Sequence, residues 1–144
     1  MDNVLKETLR WHQQAIKMPT LETACVAIGC AYEETGELSR TLDDSVLSTM
    51  MFDNADCYKN KHQDIIMHLA SGEIDRVQML DDIVDEIVTR VGIAHNMGFD
   101  ILGALDEVNR SNFSKFENGK PVFDANGKIT KGKNYVKPNL ERFV

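Results

Sequence analysis

The sequence predicts an all-α fold, a bundle of about five helices followed by a small C-terminal β-hairpin or an extended tail. Apolar residues recur at steps of three and four along most of the chain, which is the period of an amphipathic helix. The chain has only three prolines, and its 42% hydrophobic and 27% charged residues are typical of a globular protein. A length of 144 residues fits a single domain.

Five segments carry the helical pattern: residues 2–17, 21–42, 58–70, 73–98 and 100–116. Thr20 and Asp100 have side chains that can cap a helix N-terminus, and Gly98 is a typical helix end. Residues 43–57 have a mixed pattern, which fits either a short helix or a turn. The strongest pattern is that of residues 73–98, where apolar positions recur over six turns.

Residues 115–144 differ from the rest of the chain in pattern and in charge. Asn126-Gly127 favours a tight reversal between two short apolar runs, which predicts the hairpin. This part carries seven of the 16 basic side chains but three of the 23 acidic ones, within a chain of formal net charge −7. An acidic body disfavours nucleic acid as a partner, because such binding depends on neutralising phosphates. Dense carboxylates attract cations, and a basic tail attracts phosphates.

Three further features predict a cytoplasmic protein that does not bind a membrane. No apolar run approaches the ~20 residues that span a bilayer. The N-terminal residues are charged and unlike a signal peptide. The three cysteines, Cys25, Cys30 and Cys57, lack the spacing of a metal site and indicate reduced thiols.

A first acidic cluster lies inside the predicted second helix, at Glu33-Glu34-Thr35-Gly36-Glu37. Glu34 and Glu37 share one helix face, where like charges repel each other unless a cation lies between them. Gly36 costs about 1 kcal/mol relative to alanine in a helix and has no turn to make. Its presence predicts the close approach of another helix or of a ligand.

A second acidic cluster, residues 81–86, lies in the strongest helical segment. Asp82 and Asp85 have the same i, i+3 spacing as Glu34 and Glu37, and aspartate is unfavourable in mid-helix. Two helices with paired carboxylates supply the oxygen ligands that Mg²⁺ prefers, with Mn²⁺ as a substitute. The alternative interpretation is that both clusters are solvated helix faces.

These motifs, in this order, resemble those of the all-α nucleoside triphosphate pyrophosphohydrolases, the MazG-like and phosphoribosyl-ATP pyrophosphohydrolase-like superfamily. Glu34-Thr35-Gly36-Glu37-Leu38 and Asp82-Ile83-Val84-Asp85 are similar to its two acidic helix motifs. The similarity continues through residues 94–100 to Glu107-Val108-Asn109-Arg110-Ser111-Asn112-Phe113-Ser114-Lys115, which is similar to a signature of a subfamily often carried by phages. Lys131-Gly132-Lys133-Asn134-Tyr135 resembles the C-terminus of that subfamily.

The resemblance implies a Mg²⁺-dependent hydrolase that cleaves a nucleoside triphosphate between its α and β phosphates. It also implies a homodimer or a homotetramer with each site near the interface. Carried over by position, the metal ligands are Glu34, Glu37, Asp82 and Asp85, with Glu33 as the extra acid. Asn112 and Lys115 match the polar pair near the phosphates, and Lys131 and Lys133 would offset the charge of the substrate. Glu34 or Glu37 would position or deprotonate the attacking water.

The predicted domain organisation follows from the same comparison. Residues 1–116 form the helical catalytic domain, with 43–72 as a possible insertion, and residues 117–144 form its basic hairpin or tail. Asp82 stands where the superfamily has glutamate, so its shorter side chain could shift the metal. Two alternatives stay open: phosphoribosyl-ATP or a guanosine alarmone as the substrate, and a non-catalytic helical interaction module. Trp11, His12 and Tyr32 are candidates for the base pocket.

Overall fold

The computed structural model describes residues 3–144, which form six α-helices and contain no β-sheet. The helices are α1 (Val4–Ala15), α2 (Leu21–Thr41), α3 (Ser45–Lys59), α4 (Gln63–Ala70), α5 (Arg76–Asn96) and α6 (Ile101–Phe113). A short 3₁₀ helix follows at Glu141–Phe143. The predicted all-α class is confirmed. Among residues 3–144, no helix combines the length and the apolar character needed to cross a bilayer.

The predicted helix ends agree closely with the structure, because the chain marks them with capping residues. The side chain of Thr20 accepts a hydrogen bond from the backbone of Thr23, whose own hydroxyl accepts one from the backbone of Thr20. The carboxylate of Asp100 caps α6 by accepting from the Gly103 N–H at 3.0 Å. Gly98 has a φ of 77° just after α5, which favours glycine. The predicted first residue of α1, Asp2, lies outside the described residues.

The part of the chain with a mixed pattern forms a full helix. Residues 43–57, expected as a short helix or a turn, lie mostly in α3, and Asp44 caps its N-terminus by accepting from Leu47 at 3.0 Å. The predicted helix 58–70 is shorter, because the helical conformation is interrupted between α3 and α4, where Lys61 has a φ of 53°. The buried residues of α3 are the small Ser48 and Ala55. The larger Met51 and Phe52, which lie between them in sequence, pack against Gly36 of α2.

The chain divides into two compact units. Unit 1 comprises residues 1–17, 75–122 and 129–144, and unit 2 comprises residues 18–74 and 123–128. In unit 1, α1 packs along α6, and the buried core consists of Trp11, Ala15 and Phe116. The indole of Trp11 stacks on the ring of Phe116, with 5.8 Å between the ring centres. This core joins the start of the chain to the end of α6.

In unit 2, α2 and α3 pack tightly through two glycines of α2. A methyl group added at Gly36 would lie 2.9 Å from the ring of Phe52 on α3. One added at Gly29 would lie 2.9 Å from the backbone oxygen of Ala55. The prediction that Gly36 permits the close approach of another helix is therefore confirmed, and that helix is α3.

Replacing Gly29 by alanine is expected to lower the free energy of unfolding by roughly 1–2 kcal/mol, because the backbone of α3 must move to accept the methyl group. Gly92 in α5 is the matched control, since no atom lies within 4 Å of its added methyl group. Gly92→Ala is expected to stabilise the protein by up to ~1 kcal/mol through helix propensity. Urea denaturation followed by circular dichroism measures both. Equal stabilisation by the two substitutions would contradict the close packing at Gly29.

The predicted C-terminal hairpin is not formed as a pair of strands in the described residues. The reversal is present in unit 2. The Gly127 N–H donates to the backbone oxygen of Asp124 at 3.1 Å, and the Asp124 N–H donates to the backbone oxygen of Lys128 at 2.9 Å. The arms on either side are too short to build a ladder, since a hairpin needs more cross-strand bonds to be stable. Residues 132–140 are extended or turned, as expected for the tail, up to the final 3₁₀ helix.

The apolar residues of α5 are exposed. Ala94 is the buried residue of this helix, whereas Leu80, Ile83, Val84, Ile87 and Val88 are between 43% and 62% exposed. A cavity of about 390 Å³ in unit 1 separates α5 from α1 and α6, and Ile83, Ile87 and Leu105 line it. The predicted amphipathic stripe of α5 is thus formed as a helix but remains largely uncovered.

Candidate active site

The first pair of predicted metal ligands lies on the surface of unit 2. Glu34 and Glu37 are both exposed residues of α2, one turn apart. Gly36 lies between them in sequence and is buried against Phe52 and Met51 of α3. The glycine fixes one side of the helix against α3, and the two carboxylates lie on solvated positions of the same turn. They are accessible to a cation or to a charged substrate.

Glu33 has a different environment from its two neighbours. Its carboxylate accepts a hydrogen bond from the Lys59 ammonium at 2.6 Å and two from the Lys128 ammonium at 3.1 Å, and its side chain is 21% exposed. Burial raises the pKa of the Glu33 carboxyl, but the two lysines outweigh this effect and hold the pKa below its ordinary value. Both carboxylate oxygens therefore already have cationic partners, which argues against Glu33 as a direct metal ligand.

The Glu33 cluster also explains the position of the turn at residues 123–128. Lys128 belongs to that turn, and Lys61, just after α3, donates to the Asn126 oxygen at 3.1 Å. Two lysines thus connect the turn to the α2–α3 pair. Lys128, one of the basic residues of the C-terminal part of the chain, is thus part of an ion-pair cluster within unit 2.

Replacing Glu33 by glutamine is expected to destabilise the protein by about 1–3 kcal/mol at neutral pH, since the ion pairs with Lys59 and Lys128 are lost. The pKa of Glu33 is lower in the folded state than its ordinary 4.5. The stabilisation is therefore fully present above pH 4.5 and is lost as the pH falls through the folded-state pKa. Urea denaturation of both proteins along a pH series measures the difference. Glu37→Gln, an exposed carboxylate of the same helix, is the control, with an expected change within about 0.5 kcal/mol. A Glu33→Gln difference that does not depend on pH would contradict this account.

The second pair of predicted metal ligands lies on α5 in unit 1. Asp82 and Asp85 are both exposed, and Asp82 accepts a hydrogen bond from the Gln78 side chain at 2.9 Å. Two exposed carboxylates at i, i+3 suit a hard divalent cation in their chemistry, since all the donors are oxygens. In neither unit, over residues 3–144, do three His, Cys, Asp or Glu side chains lie close enough to hold a metal by themselves.

The four predicted phosphate-binding residues come together in unit 1. Asn112 lies at the end of α6, and its backbone oxygen accepts a hydrogen bond from the backbone N–H of Lys115 at 3.1 Å. The Gly132 N–H donates to the Lys115 oxygen at 3.1 Å. Because Lys131 and Lys133 flank Gly132, this hydrogen bond brings the backbones of three lysines to one place. Residues separated by 16 positions in sequence thus meet beside the end of α6.

Lys115 and Asn112 are also linked to the core of unit 1. The Lys115 ammonium lies 5.6 Å from the centre of the Trp11 ring. The Trp11 indole N–H donates a hydrogen bond to the backbone oxygen of Asn112 at 2.8 Å. Trp11 is 8% exposed and stacks on Phe116. Trp11 is therefore a core residue whose ring is not available to stack on a base, contrary to its candidate role in a base pocket. Tyr32 packs against Tyr58 in unit 2, with 5.2 Å between the ring centres.

Several residues that build this site have no role in the predictions from the sequence. Asn109 is buried and donates to the Val4 oxygen at 2.9 Å, so it connects α6 to the start of α1. Glu107, Arg110 and Ser111 bind the chain that follows Lys133. All four lie in Glu107–Lys115, the segment for which a resemblance was noted in the sequence. The signal was present in the sequence, but only the structure distinguishes the structural residues of the segment from its exposed ones.

Comparison with protein-family models, with curated proteins and with solved structures finds no match to this chain. The functional assignment therefore depends on the residues themselves and on the motifs that they form. The strongest of these are the two exposed carboxylate pairs and the lysines gathered at Gly132.

Proposed function

We propose that this protein is a cytoplasmic, Mg²⁺-dependent nucleotide pyrophosphohydrolase of the all-α nucleoside triphosphate pyrophosphohydrolase superfamily. It converts a nucleoside or deoxynucleoside triphosphate to the monophosphate and pyrophosphate. The observation that carries the proposal is the Gly132–Lys115 hydrogen bond, which brings the backbones of three lysines together in unit 1 of an otherwise acidic protein. Lysine side chains suit a polyphosphate chain, and the acidic body makes nucleic acid an unfavourable partner.

In this proposal the candidate metal ligands are two pairs of carboxylates, Glu34 with Glu37 in unit 2 and Asp82 with Asp85 in unit 1. Their exposure and their oxygen donors fit Mg²⁺, with Mn²⁺ as a substitute. The chemistry that such an ion supplies is charge neutralisation of phosphate oxygens and activation of water. Glu33, which is bound by two lysines, orders the structure next to the pair instead of binding metal.

The protein's own side chains then have three roles. Glu34 or Glu37 orients the attacking water and accepts its proton. Lys115, with Lys131 and Lys133, stabilises the negative charge that develops on the leaving pyrophosphate. Asn112 donates a hydrogen bond to a phosphate oxygen. Phosphoribosyl-ATP and a guanosine alarmone carry the same type of phosphate anhydride, so they remain the alternative substrates of the same site.

The active form in this proposal is a homodimer or a homotetramer. The exposed apolar face of α5 supports it, because exposed apolar patches of this kind usually mark an interaction surface. The same face also supports the competing hypothesis, a non-catalytic helical module that docks on another protein. The two hypotheses differ in the use of the carboxylates, which are ligands in the enzyme and surface groups in the module.

Calorimetric titration with MgCl₂, and separately with MnCl₂, separates these hypotheses. The enzyme is expected to bind either ion at a defined stoichiometry, and the double variant Glu34→Gln/Glu37→Gln is expected to bind at least about tenfold more weakly. A module whose acids are surface groups gives only weak, non-stoichiometric heats in both proteins. Identical titrations of the wild type and the double variant would contradict the proposed metal site.

A further inference from the structure

Residues 132–143, here called the C-terminal segment, run along α6 from its C-terminal end to its N-terminal end. Four contacts fix this path in unit 1. They are Gly132 N to Lys115 O at 3.1 Å, Ser111 Oγ to Val136 O at 2.9 Å, Asn139 N to Glu107 Oε1 at 2.9 Å, and Asp100 N to Phe143 O at 2.9 Å. The residues of α6 and those that flank it thus hold the backbone of the C-terminal segment at four places along the helix.

At Gly132 the C-terminal segment lies close to the chain that follows α6. A methyl group at this position would collide with the backbone oxygen of Lys115 and would lie 2.8 Å from Cγ of Glu117. A backbone oxygen at the end of a helix cannot turn away as a flexible side chain can. Any residue other than glycine would therefore push the segment, with Lys131 and Lys133, away from Lys115.

Glu107 anchors the other part of the C-terminal segment. Its two oxygens accept from the Arg110 guanidinium at 2.8 Å and 2.7 Å, and one of them also accepts from the Asn139 N–H. The hydrogen bonds from Arg110, followed by the one from Asn139, lower the pKa of the Glu107 carboxyl to about 2. The side chain is 12% exposed, and it stays ionised at every pH where the protein would work. The anchor is permanent and does not act as a pH switch.

We propose that Gly132 and Glu107 are positioning residues that hold Lys131 and Lys133 beside Lys115, so that the three lysines bind one polyphosphate chain. The inference rests on the proposed function and deepens it, since it identifies what builds the phosphate site. The Lys115 ammonium lies 5.6 Å from the centre of the Trp11 ring, and the Lys131 ammonium lies 5.0 Å from the centre of the Tyr135 ring. Three positively charged side chains on neighbouring backbones attract a polyphosphate anion. The binding free energy therefore depends on how closely the C-terminal segment holds the lysines.

Inorganic triphosphate, titrated by calorimetry in the absence of metal, is the probe. Gly132→Ala and Glu107→Gln are each expected to raise the Kd at least tenfold, with unchanged helix content. The controls are Gly92→Ala, whose added methyl group contacts nothing, and Glu141→Gln, an exposed acid of the same segment. Both controls are expected to bind as the wild type does. Using two variants keeps the test valid if one of them folds poorly.

A double-mutant cycle separates positioning from general destabilisation. In a Lys131→Gln/Lys133→Gln background, Gly132→Ala is expected to change the Kd less than twofold, since the lysines that it displaces are already absent. A full tenfold loss in that background would overturn the inference, and so would equal binding by the wild type and Gly132→Ala. A wild type that does not bind triphosphate would overturn it as well. None of these measurements involves turnover, so they stand or fall separately from the proposed pyrophosphate release.

Discussion

Replacing Glu37 by glutamine is expected to lower Mg²⁺-dependent pyrophosphate release by a factor of about 10²–10⁴, the usual contribution of a positioned general base or of a metal ligand. The substitution keeps the size of the side chain and removes its charge. Glu37 is exposed on the surface of α2, so the helix content is expected to be unchanged. Steady-state kinetics with a pyrophosphate assay, together with circular dichroism, measure both effects.

Glu22→Gln is the matched control for this experiment. Glu22 is an exposed acid in the first turn of the same helix and lies outside the acidic cluster. Its neutralisation changes the net charge by the same amount, and the expected rate is that of the wild type. Undiminished turnover in Glu37→Gln would contradict the assignment of the α2 carboxylates. An equal loss of turnover in Glu22→Gln would show that the net charge of the protein, and not Glu37 itself, determines the rate.

The second large effect is expected at Lys115. Lys115→Gln should lower kcat/KM by about 10²–10³, because one ammonium group next to the transferring phosphates is lost. The hydrogen bond from Gly132 goes to the backbone oxygen of Lys115, and it therefore survives the substitution. The contact with the Trp11 ring is lost, at a cost of about 0.5–1 kcal/mol of stability.

Lys137→Gln serves as the control for Lys115. Lys137 is exposed, lies in the C-terminal segment and uses only its backbone oxygen to hold Arg110. Its substitution is expected to leave kcat/KM within about twofold of the wild type, since isolated exposed charges contribute little. If kcat/KM falls equally in the two lysine variants, the general charge of the basic tail is responsible, and the assignment of a phosphate site to Lys115 is wrong.

The part of the fold that could be predicted is the part that depends on local signals. Thr20, Asp100 and Gly98 mark helix ends through capping and turn chemistry that involves only neighbouring residues. Helix α3 was ambiguous because its two buried residues, Ser48 and Ala55, are small and add little to an apolar pattern. The hairpin was predicted but is not formed as paired strands, because Asn126-Gly127 favours a reversal but does not by itself supply the cross-strand contacts that strands need.

The candidate site could also be predicted only where it depends on residues that are close in sequence. The i, i+3 pairs Glu34 with Glu37 and Asp82 with Asp85 follow from helix geometry alone, and Gly36 correctly indicated a close helix. The partners of Glu33 could not be predicted, because Lys59 and Lys128 are 26 and 95 residues away in sequence. The approach of Gly132 to Lys115 is also a contact between distant residues, and it depends on the path of the C-terminal segment along α6.

The measurement that tests the central claim most directly is a product assay over all the common nucleoside and deoxynucleoside triphosphates. Each is incubated with the protein and Mg²⁺, and pyrophosphate and orthophosphate are quantified separately. The account predicts that at least one of these nucleotides yields its monophosphate and pyrophosphate in equal amounts, and that the reaction stops when the metal is chelated. Release of orthophosphate alone, or no turnover of any nucleotide in the panel, would contradict it.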